Sequence, residues 1–184
     1  GFSELVKGIS FLVAVIGLVL EDMANISPNV GKLRFAKEVA SAQATVDLLQ
    51  ARGINRIVAL THIGNARDLA LAAKVNGLDA IVGGHSHSLL GDFSNVGWGN
   101  TGEYAALVTN PDGVGLTCVV QAGSYAQAIG LARVSFDAQG RVIACKGQNQ
   151  LLASRDFFAD PARQQRLDKT RSQQAGKFID AQPN

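Results

Sequence analysis

Apolar residues in this chain fall in short unbroken blocks, and the polar stretches between them carry apolar positions at helical spacing. Residues 9–20 (ISFLVAVIGLVL) form the longest block. It does not alternate and is rich in Val and Ile, which predicts a strand over residues 10–18 buried on both faces. Asn25-Ile26-Ser27-Pro28-Asn29-Val30-Gly31 reads as a loop by its turn residues. Phe35, Val39, Ala42, Val46 and Leu49 recur at alternating spacings of four and three and share one helix face. Gly53 is placed to stop that helix. Residues 56–60 (RIVAL) give a second strand, again buried on both sides. Asn65 can cap a second helix, with Asp68 favourable to its dipole and Gly77 as its end. Residues 78–82 (LDAIV) give a third strand. Strand, helix, strand, helix, strand at these lengths predicts two βαβ units and a parallel sheet.

The pattern then changes. Residues 91–102 are rich in Gly, Asn and Ser and read as a loop. Strands are expected over residues 104–108, 117–121, 129–136 and 141–146, with turns at Asn110-Pro111-Asp112-Gly113 and Asp137-Ala138-Gln139-Gly140. This half is mostly antiparallel β. Asp160-Pro161 is an N-cap followed by Pro at the first helical position, which predicts a polar helix over about residues 161–177. The fold class is therefore α/β, with parallel βαβ units followed by antiparallel strands. Residues 1–153 form the folded part, and residues 154–184 a polar helix or linker.

Composition narrows this only a little. Apolar residues make up 47% and charged residues 17%, as in a globular chain. A net charge of +2 is too small to suggest a nucleic-acid partner, and the basic residues near the C-terminus (Arg163, Arg166, Lys169, Arg171, Lys177) read as a solvated helix face. The block at residues 9–20 is about a dozen residues long, too short to span a bilayer. It has neither the basic flank nor the small-residue cleavage site of a signal peptide. The chain opens on Gly-Phe-Ser with no initiator Met, so the N-terminus of the protein is expected elsewhere. Cys118 and Cys145 each sit in an apolar stretch and read as two buried thiols, with a disulfide open to them if the protein is exported.

The candidate chemistry lies in the histidines. All three fall in two short segments, Thr61-His62-Ile63-Gly64 and Gly83-Gly84-His85-Ser86-His87. Each segment follows a predicted parallel strand, at the sheet edge where ligand sites of open α/β folds form. On extended backbone, residues i and i+2 point the same way, so His85 and His87 can face one cleft with His62 beside them. Any one of them alone reads as a hydrogen-bonded loop residue; together they read as imidazole ligands for Zn, Mn, Fe or Co. Two such ions about 3.5–4 Å apart clamp a phosphate and generate a hydroxide nucleophile. Asn100 and Gln121 lie near enough to line the cleft, although loop capping and strand-end hydrogen bonding explain them as well.

These segments, with Val13-Ala14-Val15-Ile16-Gly17-Leu18, Thr109-Asn110-Pro111-Asp112-Gly113, Val120-Gln121-Ala122-Gly123 and Val134-Ser135-Phe136-Asp137, resemble the 5′-nucleotidase branch of the calcineurin-like metallophosphoesterases over residues 8–153. The resemblance implies part of an αββα sandwich, two divalent metal ions (Zn, Mn or similar), a nucleotide or related phosphoester substrate, and a periplasmic or extracellular location. It implies that His62 and His85 bind one metal and His87 the other, with Gly84 and Ser86 shaping their loop. The family's Asp-x-His, Gly-Asp-x-x-Asp and Gly-Asn-His motifs do not occur here. They normally precede the segment that residues 13–18 resemble, so the chain reads as the C-terminal half of the metallophosphoesterase domain. The missing N-terminal half would be required to complete the site, and the base-binding C-terminal domain of the family is also not found. Three neutral histidines cannot hold a bridged metal pair. The chain alone is therefore expected to be inactive, holding at most one weakly bound ion on His85 and His87. The alternative is a non-catalytic binding or interaction module derived from that fold. A metal-free flavodoxin-like domain is disfavoured, because Leu18-Val19-Leu20-Glu21-Asp22 is not a phosphate loop.

Overall fold

In the computed structural model of the chain, residues 12–152 are described. Helices and strands follow in the order β1 (Ala14–Val19), α1 (Met23–Ile26), α2 (Glu38–Gln50), β2 (Ile57–His62), α3 (Asn65–Ala72), β3 (Ala80–Val82), β4 (Ala106–Thr109), β5 (Leu116–Val120), β6 (Ala128–Phe136) and β7 (Val142–Leu151). The predicted helix over residues 161–177, and the linker of which it is part, lie outside the described residues.

Five strands form one sheet in the order β1-β2-β3-β5-β4. β1, β2, β3 and β5 run parallel, and β4 is antiparallel to β5. The change from parallel to antiparallel pairing thus falls later in the chain than the sequence pattern placed it. β5 returns beside β3 after a long connection that carries the histidine loop and a short 3₁₀ turn at Ser94–Val96. β6 and β7 form a separate antiparallel hairpin, closed by the turn predicted at Asp137 to Gly140.

One face of the sheet is covered by helices. Ala42 and Val46 of α2 and Leu71 and Ala72 of α3 pack on Ile57, Ala59, Ile81 and Val119 in the main core. Gly53, with φ +78°, lets the chain turn out of α2, and its amide donates to the Gln50 carbonyl. A buried carboxylate ties the sheet at its other end. The Ile57 amide donates to Asp79 Oδ2 at 2.7 Å, and burial pushes Asp79 up to about 6.

The opposite face is covered only in part. The β6-β7 hairpin lies across the β5 side, where Cys118, Val120 and Ala80 meet Cys145 and Val134. Cys118 and Cys145 are joined in a disulfide, so the reading of two separate thiols gives way to the alternative that export leaves open. On the β1 side the face is open, with Val15 66%, Val19 53% and Leu60 56% exposed. The expectation that β1 and β2 are buried on both faces therefore fails within the described residues. An unbroken apolar run records that a strand is built to be covered; it does not record whether the cover lies in the same stretch of chain.

Candidate metal centre

The three histidines come to the C-terminal edge of the parallel strands. His62 is the last residue of β2, paired in register with Val19 of β1, and it lies on the partly open face with Leu60. β3 ends at Val82, and Gly83 and Gly84 then carry the chain to His85. The rings of His62 and His85 meet edge to face with centroids 5.1 Å apart. Both side chains are exposed. This approach depends on Gly84, because a Cβ there would sit 3.2 Å from His62 Nδ1. Gly64, on the other side, is called for by its backbone at φ +94°, since a Cβ there would make only ordinary contact with Ser86 Cβ at 3.6 Å and His85 Cδ2 at 3.7 Å.

The loop backbone departs from the sequence reading. His85 and His87 are not extended; their φ angles are +76° and +56°. Left-handed backbone is uncommon for residues other than glycine. The rule that i and i+2 point alike therefore does not apply here, and the two rings take different neighbours. His87 faces Tyr125, centroid to centroid 5.4 Å. Tyr125 is 82% exposed and sits in a turn where it and Ala126 also have positive φ.

Buried polar groups fix this loop from beneath. Gln121, just past β5, donates from Nε2 to the Gly84 carbonyl at 3.0 Å. Its Oε1 accepts from Ser86 Oγ at 2.9 Å and from the Ser88 amide. Ser86 Oγ also accepts from the Asn65 amide at 3.0 Å, tying the loop to the start of α3. The residue that precedes α3 is Gly64 rather than Asn65, and the Asn65 side chain makes no capping hydrogen bond. Asn100 is remote from this network. Its Oδ1 accepts from the Gly102 amide, the loop-capping role open to it from sequence.

Asp68 lies under the same edge, fully buried. Thr61 Oγ1 donates to its Oδ1 at 2.6 Å, while Oδ2 has no hydrogen-bond partner. A side chain at Gly83 would collide with that oxygen, so the first glycine of the pair is required by packing. Burial pushes Asp68 up to about 6, opposed by the Thr61 hydrogen bond and reinforced by the charge of Glu38. The sign follows directly. A carboxyl that holds its proton better when folded favours the folded state at low pH, and this is lost as pH rises through about 6. Asp68→Asn removes that titration. Relative to wild type, the variant should gain about 2–3 kcal/mol of stability between about pH 4 and pH 7.5. Urea denaturation of both proteins at the two pH values measures this, and a pH-independent difference would refute it.

The donor set fits part of a metal centre. His62 and His85 are adjacent imidazoles with open approach, as two ligands of one ion need to be. Among the described residues, however, no group of three His, Cys, Asp or Glu side chains is close enough to hold an ion. The geometry sets two imidazoles side by side at a strand edge, with His87 two residues further along the loop. The same residues also include no helix long and apolar enough to cross a membrane.

No protein-family model matches the chain. The chain is 36% identical over 163 residues to the trifunctional nucleotide phosphoesterase protein YfkN of Bacillus subtilis, an alignment that covers 88% of this chain and 10% of that protein. It is 31% identical over 182 residues to human 5′-nucleotidase, covering 91% of this chain and 30% of the human protein. Among solved structures, the 5′-nucleotidase precursor of Thermus thermophilus superposes with a TM-score of 0.71 at 39% identity, over 77% of this chain and 29% of that one. The NAD nucleotidase of Haemophilus influenzae superposes with a TM-score of 0.68 at 26% identity, over 91% and 34% of the two chains. The chain thus spans between 10% and 34% of the length of these relatives.

Proposed function

This chain belongs to the 5′-nucleotidase family, and on that premise we propose that it supplies the histidine half of a metal-dependent phosphoester hydrolase acting on nucleotides. The observation that carries this reading is the close approach of His62 and His85 at the parallel-strand edge, permitted by Gly84. His62 and His85 would hold one divalent ion and His87 a second. Bound there, two such ions would polarise a phosphoryl group and activate water. The residues of this chain contribute neutral nitrogen ligands and the packing that orients them. By the family resemblance, the bridging aspartate and the remaining ligands would come from the Asp-x-His, Gly-Asp-x-x-Asp and Gly-Asn-His motifs, carried on another stretch of polypeptide.

The half-covered sheet supports the same reading. The β6-β7 hairpin begins a second β layer over β5, and the apolar patch of Val15, Val19, Leu60 and Val82 continues the surface that such a layer covers. In an αββα sandwich the stretch that brings the missing ligands would bring that cover. The Cys118–Cys145 disulfide supports an oxidising compartment, the periplasm or the cell exterior.

Phosphate release from a nucleoside 5′-monophosphate, with zinc or manganese present, tests the proposal. The polypeptide that unites these residues with the three motifs should hydrolyse it, and the 184-residue chain alone should show no turnover above background. Turnover by the chain alone at an ordinary enzymatic rate, about 1 per second or more, would refute the shared-site reading.

A further inference from the structure

The histidine loop is held by an alternation. Its even-numbered residues, Gly84, Ser86 and Ser88, hydrogen-bond to one buried side chain, while the side chains of the odd-numbered residues, His85 and His87, are exposed, as is Ser86 between them. That side chain is Gln121, only 1% exposed. Its amide uses both ends, donating to the carbonyl before His85 and accepting from the groups that flank His87. Backbone in the left-handed region persists for a non-glycine residue only when its surroundings over-determine it. Here the determinant is one amide bonded on both sides of each histidine.

Gln121 is itself fixed. Asn149 of β7 donates to its backbone carbonyl at 3.0 Å and to the Leu90 carbonyl at 2.8 Å. A Cβ at Gly83 would lie 3.1 Å from Gln121 Nε2, so the bare glycine backbone is what lets the amide reach under the loop. The orientation of the amide is also dictated. Reversing it would set the nitrogen against the Ser88 N–H and the oxygen against the Gly84 carbonyl.

We propose that Gln121 is the positioning residue of the metal centre, holding His85 and His87 in the backbone geometry from which they bind metal; this rests on the ligand reading above. Zinc titration of the 184-residue chain tests it, alongside hydrogen exchange at the loop amides. Gln121→Met keeps the length of the side chain and removes all three hydrogen bonds. Zinc affinity should fall by roughly 10–100-fold, as on loss of other partners that orient ligands. The Ser88 amide should lose protection while the amides of β2 keep theirs. Gln121→Glu keeps the acceptor toward Ser86 and Ser88 but loses the donor to Gly84, and should fall between wild type and Gln121→Met. A purely structural glutamine would lower stability in both variants and leave the zinc affinity of the folded fraction unchanged, which would overturn the proposal. Should Gln121→Met fail to fold, Ser86→Ala deletes one partner from the exposed side. Weaker zinc binding in that variant supports the proposal, and unchanged binding overturns it. His85→Ala separates the two levels, because His85 is a ligand in either pairing. If it leaves zinc affinity unchanged, the ligand reading falls and this proposal with it. If it weakens binding while folded Gln121→Met does not, only the positioning role falls.

Discussion

Replacing His62 or His85 with alanine is expected to cost the assembled phosphoesterase on the order of a hundredfold or more in kcat/KM, since loss of a residue that only orients a metal ligand already costs about 10–100-fold. The two substitutions should act as a unit. The rings lie 5.1 Å apart and are proposed to hold one ion, so once either is gone the second substitution should add little. His87 stands apart, its ring against Tyr125 and its proposed ion the other one. His87→Ala should therefore weaken a second, separable binding event. All three histidines are exposed, so the fold should tolerate the changes, and unaltered thermal unfolding is the control. Metal content and phosphate release of the single and double variants decide the matter. Full activity with His62→Ala, or a double variant losing the product of the two single losses, would remove the pair from the proposed centre.

Much of this site was legible in the chain because its signals are local. Apolar blocks at residues 56–60 and 78–82 placed β2 and β3, and the histidines that follow them could only fall at one sheet edge. The βαβ reading holds because helix periodicity and strand blocks alternate at the right lengths. What escaped is non-local. Nothing near Gln121 in sequence shows that its amide reaches across to residues 84, 86 and 88; that contact exists only because β5 lies beside β3. Asp68 reads as a first-turn acid complementing a helix dipole, yet it is a buried acceptor for Thr61, which reaches it from the end of β2 across the turn at Gly64. The extended backbone assumed for His85-Ser86-His87 failed for a related reason. Local propensity favours extended or helical φ, and the buried glutamine overrides it. The partnership of Cys118 with Cys145 is equally remote, since β5 belongs to one sheet and β7 to the other.

That disulfide carries the largest expected effect on stability. It closes a separation of 27 residues between the main sheet and the hairpin laid over it. On the loop-entropy account, such a cross-link stabilises the folded chain by about 3–4 kcal/mol, mainly by restricting the unfolded one. Beside the disulfide, the hairpin is held by the two Asn149 hydrogen bonds, by Arg56 over the Phe136 ring at 4.9 Å and by a modest apolar contact. The cluster beneath it is small, consisting of Ala80, Ala105, Cys118, Val120 and Cys145, with Val58, Tyr104 and Val134 at its margin. Replacing both cysteines with alanine should thus lower the unfolding free energy by about that amount, a large part of a typical domain's margin. It should also loosen the hairpin before the sheet: amides of β6 and β7 should exchange faster while those of β2 and β3 keep near-global protection. Loosening the hairpin frees Asn149, and with it one of the supports of Gln121. Zinc affinity should consequently fall in the double variant even where the main sheet stays folded. Urea denaturation, hydrogen exchange and zinc titration of the oxidised chain and of the Cys118→Ala, Cys145→Ala variant test the three links in turn. A stability change below about 1 kcal/mol would sink the first. Hairpin protection equal to wild type would sink the second. Unchanged zinc binding alongside a loosened hairpin would separate the histidine loop from the disulfide and leave Gln121 held by the sheet alone.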